Sequence, residues 1–192
     1  MTASRSKTKR RSLSMLLRVA VVTTGVAVGG CEPVRPPPPS VSFAGLPVSG
    51  SVHDAQKSGF TGCVHLDAVH IRCRRHGVMI EGAGPYDAAV DLVGSNGAGG
   101  FDQLTLWDDR DNDAVFRLAA ALERGGWTRC LTGDGRVGDQ AIYTRPGAPV
   151  RASMDISYWS KRRLRFIPVS DHEHGCADPV AHSVGRNSGT DR

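Results

Sequence analysis

The chain has 192 residues, a formal net charge of +5, 40% hydrophobic and 22% charged side chains, and five cysteines. This length allows one domain or two very small ones, and the apolar residues do not form the long runs of a multi-span membrane protein. Residues 1–30 carry six basic side chains (Arg5, Lys7, Lys9, Arg10, Arg11, Arg18) and no acidic one; with those six removed from 24, 18 basic residues stand against 19 acidic ones, a net charge of −1. The basicity therefore belongs to the leader and makes no case for nucleic-acid binding.

A basic stretch from Arg5 to Arg11, an apolar stretch from Leu13 to Val28 and then Gly29, Gly30 and Cys31 form the three-part layout of a secretory signal. Only Val19 to Val28 follow Arg18 without a charge, about half of the ~20 residues that a permanent membrane-spanning helix needs. The tetrapeptide Val28-Gly29-Gly30-Cys31 resembles the lipobox of bacterial lipoproteins. That resemblance implies that Cys31 becomes the first mature residue and that its sulfur carries a diacylglyceryl group, attaching the chain to a membrane of the cell envelope. It further implies the outer membrane, facing the periplasm, because Glu32 follows the cysteine in place of an inner-membrane-retaining aspartate. Arg10-Arg11-Ser12-Leu13 is similar to part of a twin-arginine signal, so two export routes stay open.

Pro36 to Pro39 favour a stiff polyproline II form. Residues 31–50 are thus expected to be a lipidated cysteine and tether, 51–170 a globular domain, and 171–192 a polar tail. A weak helix is expected over Val52 to Ser58. Residues 62–66, 68–73 and 77–82 alternate as a strand meander. Turns at Asp67-Ala68 and Arg75-His76 would set Ile71 beside Ile80, Cys73 beside Val78 and His70 beside Glu81. Residues 87–93 fit a strand or a short helix, the glycine-rich 94–100 a loop, and 101–107 a strand.

From Asn112 to Arg124 a helix is expected, with Val115, Leu118, Ala119 and Leu122 on one face, Asp111 as N-cap and Gly125-Gly126 as the stop. Strands follow at 127–132, 139–145, 149–158 and 163–169, and a turn at 160–162 would pair Ile156 with Phe166 and Tyr158 with Leu164. The expected fold is α+β, a mainly antiparallel sheet with one main helix packed on one face and two disulfides as staples. Gly59-Phe60-Thr61-Gly62-Cys63 and Gly126-Trp127-Thr128-Arg129-Cys130 share a glycine, aromatic, threonine, any residue, cysteine pattern, a hint of internal duplication.

With Cys31 set aside, Cys63, Cys73, Cys130 and Cys176 are an even set in an oxidising compartment, and three connectivities are open. Sequential pairing, Cys63 with Cys73 and Cys130 with Cys176, is favoured. A two-residue turn at Asp67-Ala68 argues against the first pair, since it matches Val64 with Ile71 and sets Cys63 opposite Arg72; a three-residue loop would align the cysteines and spoil the apolar match. No CxxC spacing supports zinc.

Asp109, Asp111 and Asp113 have the alternate spacing that begins a calcium loop, but Ala114 and Ala120 stand where its glycine and closing glutamate belong, so helix capping is the better reading. His172, Glu173, His174 and Cys176 are weak metal candidates in a tail that offers little preorganisation. His65, His70 and His76 interleave with Arg72, Arg74 and Arg75 as the solvent face of a meander. Asp108 and Asp109 form a possible acid and base pair without an evident cleft. No GxSxG elbow or phosphate loop occurs, and no cofactor is expected.

The last hairpin is expected to expose Trp159, Arg163 and Arg165 with Asp155 and Ser157, a mixture enriched in binding sites and also suited to protecting an edge strand. Together these features predict a non-enzymatic, lipid-anchored envelope protein that binds another protein. The layout is similar to lipoprotein immunity proteins and inhibitors of secreted cell-wall hydrolases, an analogy of architecture alone. The alternatives are a structural or assembly lipoprotein and an envelope hydrolase dependent on a metal or on aspartate.

Overall fold

A computed structural model describes residues 35–133, 139–156 and 162–170, all within the unit Pro33–Arg192. The tether ends sooner than expected. Val41–Phe43 (β1) and Leu46–Ser49 (β2) form a hairpin, whose two-residue turn Ala44-Gly45 has φ of 48° and 77°, the double positive φ of a type I′ hairpin turn. Val48 and Leu46 are buried, so this hairpin belongs to the core.

Helix α1 (Val52–Lys57) starts at a capping box in which Ser51 and Asp54 satisfy each other's backbone N–H groups. Four strands follow: β3 (Gly62–His65), β4 (His70–Ile80), β5 (Ala83–Val93) and β6 (Leu104–Trp107). The pattern then recurs with α2 (Ala114–Arg124), β7 (Thr128–Leu131), β8 (Gln140–Thr144), β9 (Val150–Asp155) and β10 (Leu164–Pro168). The eight strands β3 to β10 form one antiparallel sheet in the order β3-β4-β5-β6-β10-β9-β8-β7. That order is a palindrome of two helix-plus-four-strand units, joined where β6 pairs with β10.

The shared pentapeptide is the helix stop of each unit. Gly59 and Gly126 have φ of 82° and 84°. The next N–H groups, of Phe60 and Trp127, both reach back five residues at 3.1 Å, to the Ala55 and Leu122 carbonyls. This is the left-handed glycine cap with its long return bond, and the aromatic that follows is buried in each unit. The duplication is therefore present in topology and in local bonding.

Register separates the two faces of the sheet. One row crosses all eight strands as Cys63, Cys73, Val90, Leu104, Phe166, Ala152, Tyr143 and Arg129. Its central members are buried against α1, α2 and the β1–β2 hairpin, and Phe43 stacks on Phe166 with ring centroids 5.1 Å apart. The helix α2 turns Val115, Leu118, Ala119 and Leu122 inward as expected. Its start differs: the N-cap is Asp113, without a side-chain bond, because Asp111 instead accepts from the Asp113 N–H in the preceding turn.

Two further expectations are corrected and one open alternative is decided. Residues 68–82 do not turn at Arg75-His76; β4 runs through them with register shifts between Arg75 and Ile80, and the reversal comes at Glu81-Gly82, with φ of 48° and 73°. Cys73 therefore faces Val90, Ile71 faces Leu92 and His70 faces Val93. Residues 87–93 are strand. Third, Phe166 pairs with Ala152 and Leu164 with Met154, a shift of four positions from the expected register that leaves every side chain on its expected face.

The Cys63–Cys73 disulfide forms, and a three-residue loop, Asp67 to Val69, aligns the two cysteines. Val64, Leu66 and Val69 are left 51%, 47% and 54% exposed. The apolar match across the tip is thus given up for the cross-link. Cys176 lies outside the described residues, as does the tail 171–192.

Candidate functional site

All described helices and the β1–β2 hairpin pack on one face of the sheet; on the other, Ala89, Thr105, Ile142 and Ser153 are buried, Arg72, Arg163 and Arg165 are half-buried and Arg74 is exposed. On this second face one row again crosses all eight strands: Gly62, Arg74, Ala89, Thr105, Arg165, Ser153, Ile142 and Cys130. The short side chains of Ala89 and Thr105 lie between two arginines, and that difference in length makes a notch in the middle of the sheet. The notch has a volume of about 80 Å³ and is lined by Arg72, Arg74, Ala89, Thr105, Trp107, Asp109 and Arg163.

Each lining side chain is held by its own strand or a neighbour. Arg72 makes a two-pronged pair with Asp91 across β4 and β5, at 2.6 and 2.7 Å. Those hydrogen bonds raise its already high pKa further, so Arg72 is a fixed cation. The Arg74 guanidinium lies 5.8 Å from the centroid of the Trp107 ring, within reach of a cation–π attraction. The indole Nε1–H of Trp107 donates to Asp109 at 3.0 Å, fixing the ring as one wall. Guanidinium forks beside a rigid indole recognise planar anions.

Of the residues expected on the last hairpin, Arg163 and Arg165 do lie on the second face, and Arg163 enters the notch. Asp155 shares that face at the end of β9. Trp159 and Ser157 lie outside the described residues. What the sequence did not join to them was Arg72, Arg74 and Trp107, which arrive through the pairing of β6 with β10. Arg75 leaves the expected solvent face and donates to the Ser58 carbonyl beside α1 at 2.8 Å.

The other candidates separate. Asp109 goes to Trp107, Asp111 to Arg117 at 2.7 Å and Asp113 to Arg162 at 3.3 Å. Among the described residues no three His, Cys, Asp or Glu side chains gather as a metal site, and His172 and His174 fall outside them. Asp108 accepts from the N–H groups of Arg110 and Asp111, so it organises the turn before α2. His70 pairs with Asp67 at 2.9 Å and His76 with Asp87. A wider cleft of about 620 Å³ lies beside α1, but Asp54 in it caps that helix and Arg75 is bonded to Ser58.

Three carboxylates are held below their ordinary pKa: Asp111 by the Arg117 side chain and then the Asp113 N–H, Asp67 by the Val69 N–H and then His70, and Asp54 by the Ser51 N–H and then its hydroxyl. A depressed folded-state pKa gives stability that is present above the unfolded value and is lost as pH falls through the folded one. The melting temperature is therefore expected to fall as pH drops below about 4. Thermal unfolding followed by circular dichroism between neutral and acidic pH checks this, and a flat profile would contradict it.

No protein-family model matches the chain, and no match was found among curated proteins or solved structures.

Proposed function

We propose that the chain is a lipid-anchored envelope protein that acts without catalysis, by binding another protein through the second face of its sheet. The observation that carries this reading is the contrast between the two eight-strand rows. One is apolar and buried at its centre under the helices and hairpin, whereas the other sets arginines among short, buried side chains around an aromatic-walled notch. Arginine and tryptophan are enriched where interfaces concentrate their energy. The lipobox resemblance at Cys31 supports the anchor, and inhibition of a secreted cell-wall hydrolase is the role that layout is most similar to. On this reading the second pair, Cys130 with Cys176, ties the tail to β7.

The full chain, solubilised from the envelope of its own cells, is expected to retain a protein that the Arg163→Glu, Arg165→Glu double variant loses. Arg124→Glu, on the exposed side of α2, should retain it. Equal retention by all three would defeat the assignment of the face. For the anchor, incorporation of labelled fatty acid should vanish in Cys31→Ser, and persistent labelling would defeat it.

A further inference from the structure

We propose that the notch between Arg74, Arg163 and Trp107 receives a single carboxylate, an aspartate or glutamate side chain projecting from the partner protein; this rests on the reading of the second face as the binding surface. Size comes first. About 80 Å³ is well below the ~300–1,000 Å³ of pockets that enclose a whole small molecule, so the notch suits one side-chain group presented by something larger.

Charge comes second. Among the described residues, three guanidinium groups (Arg72, Arg74, Arg163) stand against two carboxylates (Asp109 in the lining and Asp91 on Arg72), an excess of one positive charge. A monoanion neutralises this, whereas a phosphate dianion would be left with excess charge beside Asp109. Shape comes third. Arg72 is already occupied by Asp91 in a two-pronged pair, so Arg74 and Arg163 are the forks left to meet an incoming carboxylate, one from each side of the Ala89 and Thr105 floor. The Trp107 ring closes one wall against water, which strengthens the charge-assisted bonds inside. Val64, in register with Arg72 and 51% exposed, gives the rim an apolar contact.

The test is an NMR titration of the full chain in detergent with an acetylated, amidated Gly-Gly-Glu-Gly-Gly peptide. The readout is the indole N–H resonance of Trp107, assigned by its loss in Trp107→Phe. A saturable shift in the millimolar range is expected, with none from the glutamine counterpart. Arg74→Gln and Arg163→Gln should each weaken binding about ten-fold, with the rest of the amide spectrum unchanged to show that the fold is kept. Arg163→Lys should recover part of the loss, since it restores charge without the fork. No saturable shift, an equal shift from the glutamine peptide, or binding of inorganic phosphate as tight as that of the glutamyl peptide would each overturn the assignment. If the glutamyl peptide fails while the Arg163→Glu, Arg165→Glu variant still loses the captured protein, only the carboxylate is wrong. If capture is indifferent to that variant, the binding face itself is wrong.

Discussion

Phe166→Ala is expected to cost about 3–5 kcal/mol of stability, as the removal of a fully buried aromatic does. Phe166 has no exposed surface and sits on β10, the strand that joins the two repeat units. It packs on Phe43 at 5.1 Å and meets Trp127 edge-on at 6.4 Å. The β1–β2 hairpin and the stop of α2 therefore share one side chain as their seat on the sheet. A domain of this size has roughly 5–15 kcal/mol in all, so this one truncation takes a large fraction of it. Urea unfolding measures the loss. Arg165→Ala, one residue away on the opposite face, should stay within about 1 kcal/mol. If Phe166→Ala proved equally mild, the assignment of the covered face would be wrong.

The second large effect is at the cross-link. Replacing Cys63 by alanine and Cys73 by valine opens a loop with a sequence separation of 10, which is expected to cost about 2–3 kcal/mol through the freedom returned to the unfolded chain. Valine at position 73 keeps a buried apolar group there, so the loss reports the bond. The damage should be local. β3 is an edge strand whose residues are all exposed, so amide exchange should quicken first at Val64 and Ile71 and remain slow in β8 and β9. Unchanged stability, or uniform loss of protection, would contradict this.

Much of the sheet was legible because it rests on local rules. Alternation located most of the strands, and it placed Arg163 and Arg165 on the correct face although the β9–β10 register was off by four. A side-chain period of two is insensitive to an even shift. Turn chemistry was the weaker guide. Arg75-His76 looked like a reversal, yet the favoured two-residue hairpin turns need positive φ at the first or at both positions, and Glu81-Gly82 supplies it at both. Gly77, with φ of 69°, lies where the register of the uninterrupted strand shifts.

The Asp67-Ala68 turn failed for a related reason. Matching Val64 with Ile71 presumed that the hairpin tip would be buried, and no described helix covers it. The notch was half legible. Arg72 and Arg74 alternate with Ile71 and Cys73, which marks them as one face of a strand. Nothing local says that β4 and β10 will lie with two strands between them, on either side of Ala89 and Thr105. That neighbourhood follows from β6 pairing with β10, a contact between residues about sixty positions apart.

The central claim is that the second face of the sheet is where this protein meets its partner. It is tested most directly by introducing a photo-crosslinking phenylalanine derivative at Arg165, and separately at Arg124 on α2, in the full chain within its own cells. Irradiation is expected to join one discrete protein to the chain from position 165 and none from position 124. A crosslink from 124 alone, or the same product from both, would contradict the account.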